Sequence, residues 1–156
     1  MRVSIYCVGR LRQGPEHDLI ANYLTRFDRT GRAFGLTLGD VLEVEDKKNQ
    51  GITAEGNLLR RVLPKSSVIW ALDERGETLS SPEFATGLGQ LRDRGTSDLA
   101  LIIGGADGID PSLCNEAARS ISFGRMVWPH MLVRVMLSEQ LYRAASILAG
   151  TPYHRV

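Results

Sequence analysis

Histidine, paired cysteine, long apolar runs and net charge are all scarce in this chain of 156 residues. Its two cysteines, Cys7 and Cys114, have no CxxC or Cys/His ligand spacing, so neither a disulfide framework nor a thiolate metal centre is expected. The three histidines at 17, 130 and 154 are too scattered for a structural zinc site, and no metal is expected. A net charge of +1 excludes a generic polyanion binder, so any nucleic-acid contact must come from local clusters. The apolar opening, residues 1–9, is too short for a signal peptide, and no later run approaches a membrane span; a cytoplasmic protein is expected.

What is present is ordinary for a globular chain: 43% hydrophobic and 24% charged residues, without low-complexity tracts. One domain over residues 1–156, built on one core, is expected. Residues 3–8 read as a buried first strand closed by Gly9. Leu19, Ile20, Tyr23, Leu24 and Phe27 form one stripe of a helix from Pro15 to about Arg29, with acids in its first turn and arginines in its last. A strand over residues 34–44, interrupted at Gly39-Asp40, and a loop over 45–51 follow. A helix is expected over about 53–63, stopped by Pro64.

Residues 67–72 predict a third strand ending in the turn sequence Asp73-Glu74-Arg75-Gly76. Ser81 reads as a helix N-cap followed by Pro82, the helix reaching about Asp93. A fourth strand over 98–103 runs into Gly104-Gly105-Ala106-Asp107-Gly108. A short helix capped by Asp110-Pro111 should reach about Arg119, and a fifth strand should occupy 120–123. The last helix, 131–148, is apolar nearly all round and must be buried on more than one side. Strands alternating with helices predict an α/β fold with a mostly parallel sheet and helices on both faces. A single domain of this size cannot easily cover such a terminal helix, and a homodimer is inferred.

In open parallel sheets, ligands sit beyond the carboxyl ends of the strands. Three loops meet that description, at residues 72–76, 104–108 and 123–130, and all contain glycine. Glycines after strands often only make turns; three such loops together point to a cofactor site. The run at 104–108 is neither a P-loop nor a dinucleotide fingerprint, and Asp107 would repel a polyphosphate, so an adenosyl ligand with a cationic sulfonium fits better than a nucleotide. The tail Pro152-Tyr153-His154-Arg155-Val156 spends too much chemistry on a terminus to be left free, and is expected to close over a site.

Gly104-Gly105-Ala106-Asp107-Gly108, Pro129-His130-Met131-Leu132-Val133-Arg134, Ser138-Glu139-Gln140-Leu141-Tyr142-Arg143-Ala144 and Pro152-Tyr153-His154-Arg155 together resemble the large-subunit ribosomal RNA methyltransferase H family, of the SPOUT class. The resemblance spans the full length and implies a deep C-terminal trefoil knot, a rare feature, a homodimer, and S-adenosylmethionine bent within the knot. Carried over, cofactor contacts fall on Leu72, Gly104, Phe123, Gly124, Arg125, Met126, Val127 and Trp128. Members commonly carry a threonine and an aliphatic residue before Pro-His, where this chain has Val127-Trp128. The reaction implied is methylation of N3 of a pseudouridine in a large-subunit rRNA stem-loop on the assembled ribosome.

Such a transfer needs no metal, only an aligned nucleophile and a group that takes or offsets the imide proton. His130 and Arg155 are the first candidates, with His154 beside them. His130 could equally cap the last helix, and the resemblance favours the catalytic role. Arg134, Arg143 and Tyr153 are candidate substrate contacts, although Arg143 sits at helical ion-pair spacing from Glu139 and Tyr153 could only dock the tail. Competing readings are a ribosome-associated factor that keeps the fold without turnover, and a nucleotide-binding α/β regulator.

Overall fold

A computed structural model describes residues 1–154. Five strands, β1 (Arg2–Val8), β2 (Thr37–Val44), β3 (Val68–Thr78), β4 (Asp98–Ile103) and β5 (Arg119–Ser122), form one sheet in the order β2-β1-β4-β3-β5. Every pairing in it is parallel. The helices are α1 (Pro15–Gly31), α2 (Ile52–Val62), α3 (Ser81–Asp93), α4 (Pro111–Glu116) and α5 (His130–Leu148). The central strand β4 has its apolar run buried from Leu99 to Ile103, as a strand covered on both faces requires.

Two cores confirm the two covered faces. On one, Leu24 and Phe27 of α1, Phe84 and Leu88 of α3, and Leu137 and Leu141 of α5 pack on Val3, Ile5, Leu99 and Leu101. On the other, Leu59 of α2 and Leu113 of α4 pack on Tyr6, Ala71, Ala100 and Ile102. Alternation along β1 and β4 sends successive side chains to opposite cores. Helix α5 lies between α1 and α3, with Ala144 and Ala145 fully buried and Met131 and Leu132 exposed near its start. Among the described residues no helix is long and apolar enough to cross a membrane.

Four boundaries differ from the sequence expectation, each for a local reason. Helix α1 reaches Gly31 and runs into a 3-10 turn, Arg32–Phe34, closed by Gly35 in the left-handed region, so β2 starts at Thr37 rather than 34. The expected break at Gly39-Asp40 is a register shift against β1, where the Ser4 hydroxyl accepts the Asp40 N–H at 3.1 Å. Ser80, not Ser81, caps α3, because Glu83 three residues on completes a capping box with it. Helix α4 stops at Glu116, since Arg119 already pairs with Trp70 in the sheet.

The turn sequence after Leu72 is also more than a turn. Leu72 and Glu77 both pair with Ile121 of β5, so residues 73–76 loop out of a strand that resumes to Thr78. Asp73 closes this excursion by accepting the Arg75 N–H at 2.8 Å and its guanidinium at 2.9 and 2.8 Å.

Candidate active site

The excursion of β3, the loop after β4 and the loop after β5 converge on one cleft of about 680 Å3. That volume lies within the range of small-molecule sites, and the position beyond the strand ends is where an open parallel sheet binds ligands. Leu72, Gly104, Phe123, Gly124, Met126, Val127 and Trp128 line it, together with Pro129 and His130. Arg125 is exposed and does not line the cleft. Met126 and Val127 are 71% and 81% exposed, so their side chains stand mostly in solvent at its mouth.

Local sequence explains why the walls hold. A Cβ on Gly104 would lie 2.1 Å from the Gly108 carbonyl oxygen and 2.7 Å from the Ile109 nitrogen, so the loop folds back on itself only because residue 104 has no side chain. Across the cleft, the Ser122 hydroxyl donates to the Gly124 carbonyl at 2.9 Å and accepts the Gly124 N–H at 3.2 Å, fixing the turn after β5. Asp73, beside Arg75, is held down to about 2 and stays ionised. The Cys114 thiol donates to it at 3.5 Å; burial and that carboxylate push the thiol up to about 11, so it stays neutral behind Asp73 rather than acting as a nucleophile. Next to Gly105, burial together with Asp46 and Asp107 raises Glu55 above the usual carboxylate range.

His130 is the first residue of α5 and sits on the cleft edge. Burial, then the nearby Arg134 guanidinium, lowers its pKa below the ordinary value of 6.5, keeping the imidazole neutral. A neutral imidazole there can accept a proton from a bound substrate.

Arg134 is not the exposed partner or RNA contact expected from sequence. It is 5% exposed; its Nη1 donates to Glu43 at 2.7 Å, and its Nη2 donates to the Val8 and Gly9 carbonyls at 2.7 and 2.6 Å. It ties α5 to the ends of β1 and β2, partners more than ninety residues away that local sequence does not reveal.

Tyr153 and His154, the described end of the tail, do not line this chain's own cleft. Tyr153 donates to Glu139 at 3.0 Å, stacks on Tyr142 with ring centroids 4.4 Å apart, and lies under the Arg143 guanidinium. Burial and Glu139 raise the Tyr153 pKa, which suits docking rather than proton transfer. Arg143 donates to Glu139 at 3.0 and 2.6 Å, and His154 Nδ1 lies 3.5 Å from Arg143. Glu139, Arg143, Tyr153 and His154 thus form one cluster, and Arg143 lies thirteen residues after His130, about 20 Å along the helix axis. Arg155 lies outside the described residues.

Sequence reasoning missed Ile109 and Ser122 as wall residues. Ser122 was detectable as a hydroxyl one residue before the Phe123-Gly124 pair; Ile109 carried no signal beyond following the glycines. Among the described residues, no cluster of His, Cys, Asp and Glu fit to hold a metal ion occurs.

A family model described as "Predicted SPOUT methyltransferase" matches residues 1–154. The chain belongs to the SPOUT methyltransferases. Within that family it is 70% identical over 156 residues, the full length of both chains, to "Ribosomal RNA large subunit methyltransferase H" of Ruegeria pomeroyi. Proteins of the same name from Ruegeria sp. and Cereibacter sphaeroides are 65% and 61% identical, again over the full length of both chains. The cleft lies at the strand ends of the five-stranded parallel sheet of this SPOUT methyltransferase.

Proposed function

We propose that this methyltransferase moves the methyl group of S-adenosylmethionine to N3 of a pseudouridine in large-subunit ribosomal RNA, on the assembled ribosome, in the cytoplasm. The observation that carries the reading is a cleft of about 680 Å3 edged by His130, in a chain 70% identical along its whole length to a relative named for large-subunit rRNA methylation. The chemistry of the walls supports the cofactor. The loops at 104–108 and 123–128 line a space whose one guanidinium, Arg75, is taken up by Asp73, which suits an adenosyl group with a cationic sulfonium better than a polyphosphate.

When bound, the cofactor supplies an electrophilic methyl group. The loop at Gly104 and the turn at Phe123-Gly124 hold it; Leu72 lines the wall, and Met126, Val127 and Trp128 stand at the mouth. His130 accepts the proton that the imide N3 must lose. Holding the two reactants in line contributes about 7–11 kcal/mol toward the barrier, so positioning dominates.

The tail takes part through a dimer. Because α5 separates Tyr153 and His154 from their own cleft by about 20 Å, they serve the cleft of a second copy, with Arg155 offsetting the charge that develops on the base. Met126, Val127, Trp128, Met131 and Leu132, exposed apolar residues before and after His130 in the chain, are suited to bury against that copy. The C-terminal segment is threaded as the deep knot of the family. Tritium transfer from labelled S-adenosylmethionine to ribosomes and to free subunits, run in parallel, tests the reading: label in intact ribosomes is expected. Cofactor binding without transfer would favour a non-enzymatic ribosome-associated factor.

A further inference from the structure

A second cavity of about 450 Å3 lies under the loop that joins β1 to α1. His130 lines the first cleft; Arg134, one helical turn further along α5, lines the second. A Cβ at Gly9 would be 3.7 Å from His130 Nε2 and 3.8 Å from Arg134 Nη2, so the start of this loop abuts both groups.

The cavity wall is fixed rather than loose. Glu43 Oε1 accepts Arg134 Nη1 at 2.7 Å and the Leu11 N–H at 2.9 Å, while Arg134 holds the Val8 and Gly9 carbonyls. Arg134 is nine-tenths buried, and its Nε has no hydrogen-bond partner among the described residues. Glu43, the carboxylate of the wall, is therefore neutralised from within. Arg10, on the wall, and Arg12, beside it, make no ion pair among the described residues. Of the other titratable wall groups, Cys7 is buried and His17 faces Asp18 at 3.3 Å. The floor is apolar, made by Ile5, Leu24 and the outer face of α1 at Ile20 and Ala21.

We propose that this cavity is an RNA subsite that holds a nucleobase neighbouring the one being methylated, with Arg10 on the adjoining phosphate. The volume admits one nucleotide. An apolar floor under a splayed base with a cation at the edge is how proteins hold single-stranded RNA. Its place, one turn from His130, puts the neighbour of a base whose N3 faces that imidazole at the cavity mouth. A chain with net charge +1 gains little from diffuse phosphate attraction, so an anchored base would supply the register that charge does not.

The proposal rests on reading the first cleft as the methyl-transfer site, and the test separates the two. Ala21→Trp fills the cavity from an exposed position on α1, and Arg10→Gln removes its cation. Both variants should keep wild-type S-adenosylmethionine affinity by calorimetry and wild-type mass by light scattering. Ala21→Trp should raise KM for ribosomes on the order of tenfold, and Arg10→Gln should raise it with a salt slope reduced by about one. Ribosome co-sedimentation, which needs no turnover, should weaken in parallel. Unchanged KM and co-sedimentation in both variants would overturn the subsite, as would dissociation of the dimer by Ala21→Trp, which would make the cavity a subunit seam. A wild-type protein that binds ribosomes but transfers no methyl group would instead defeat the reading of the first cleft.

Discussion

Replacing Gly104 by alanine tests the cofactor loop with the smallest possible perturbation. The added Cβ would start 2.1 Å from the Gly108 carbonyl oxygen and 2.3 Å from its carbon, where real approaches do not fall below 3.0 Å. Both atoms are main chain, so no side chain can swing aside and the loop must open by roughly 1 Å; a misplacement of that size costs about a hundredfold in rate, and a loss of the same order is expected in binding. Affinity for S-adenosylmethionine should fall by that factor, about 2.7 kcal/mol. Overpacking should cost about 1–3 kcal/mol of stability, which lowers Tm by several degrees and leaves the protein folded. Gly105→Ala is the internal comparison. Its Cβ would meet Glu55 carboxylate oxygens at 3.0 and 3.1 Å, ends of a side chain that can move, and its effect should be much smaller. Calorimetry and thermal melting on both variants decide the matter: wild-type affinity in Gly104→Ala would remove this loop from the site.

Arg134→Met should lower stability to urea by about 1–3 kcal/mol, because it leaves the Val8 and Gly9 carbonyls without their buried donor, while Glu43, exposed, can turn to water; a change within error would mean that the clamp is idle. Methyl transfer should be flat with pH above neutrality and fall only below the ordinary histidine range, because burial and Arg134 lower the His130 pKa and protonation removes the base. A pH-rate profile with its acid limb at or above that range would exclude His130. Leu132→Glu places a charge on an exposed apolar position of α5 and should split the dimer in light scattering at micromolar concentration; a wild-type monomer at that concentration would refute the dimer itself.

Much of the framework was legible because burial on both faces leaves a plain signature. The run at 98–103 and the stripe on α1 were read from period alone, and the parallel, doubly covered sheet followed from their alternation. The excursion at 73–76 misled because its turn chemistry is real: Asp73 does bind Arg75, yet Glu77 returns to β5, and only the pairing with Ile121 shows it. Gly104 was read as a cofactor contact; that its missing side chain makes room for the loop's own backbone is visible in the structure alone. Arg134 looked like any helical arginine, since its partners lie at the ends of β1 and β2. The tail's chemistry was legible; its distance from the cleft of its own chain was not, because that depends on the direction of α5 rather than on spacing.

The most direct test of the account is nucleoside analysis of ribosomal RNA by mass spectrometry after reaction with the full-length protein and with a variant truncated before Pro152. The account predicts N3-methylated pseudouridine from intact ribosomes with the full chain only, although both proteins bind S-adenosylmethionine with similar affinity. A methyl group on any other atom, efficient modification of a naked stem-loop, or full activity in the truncated protein would contradict it.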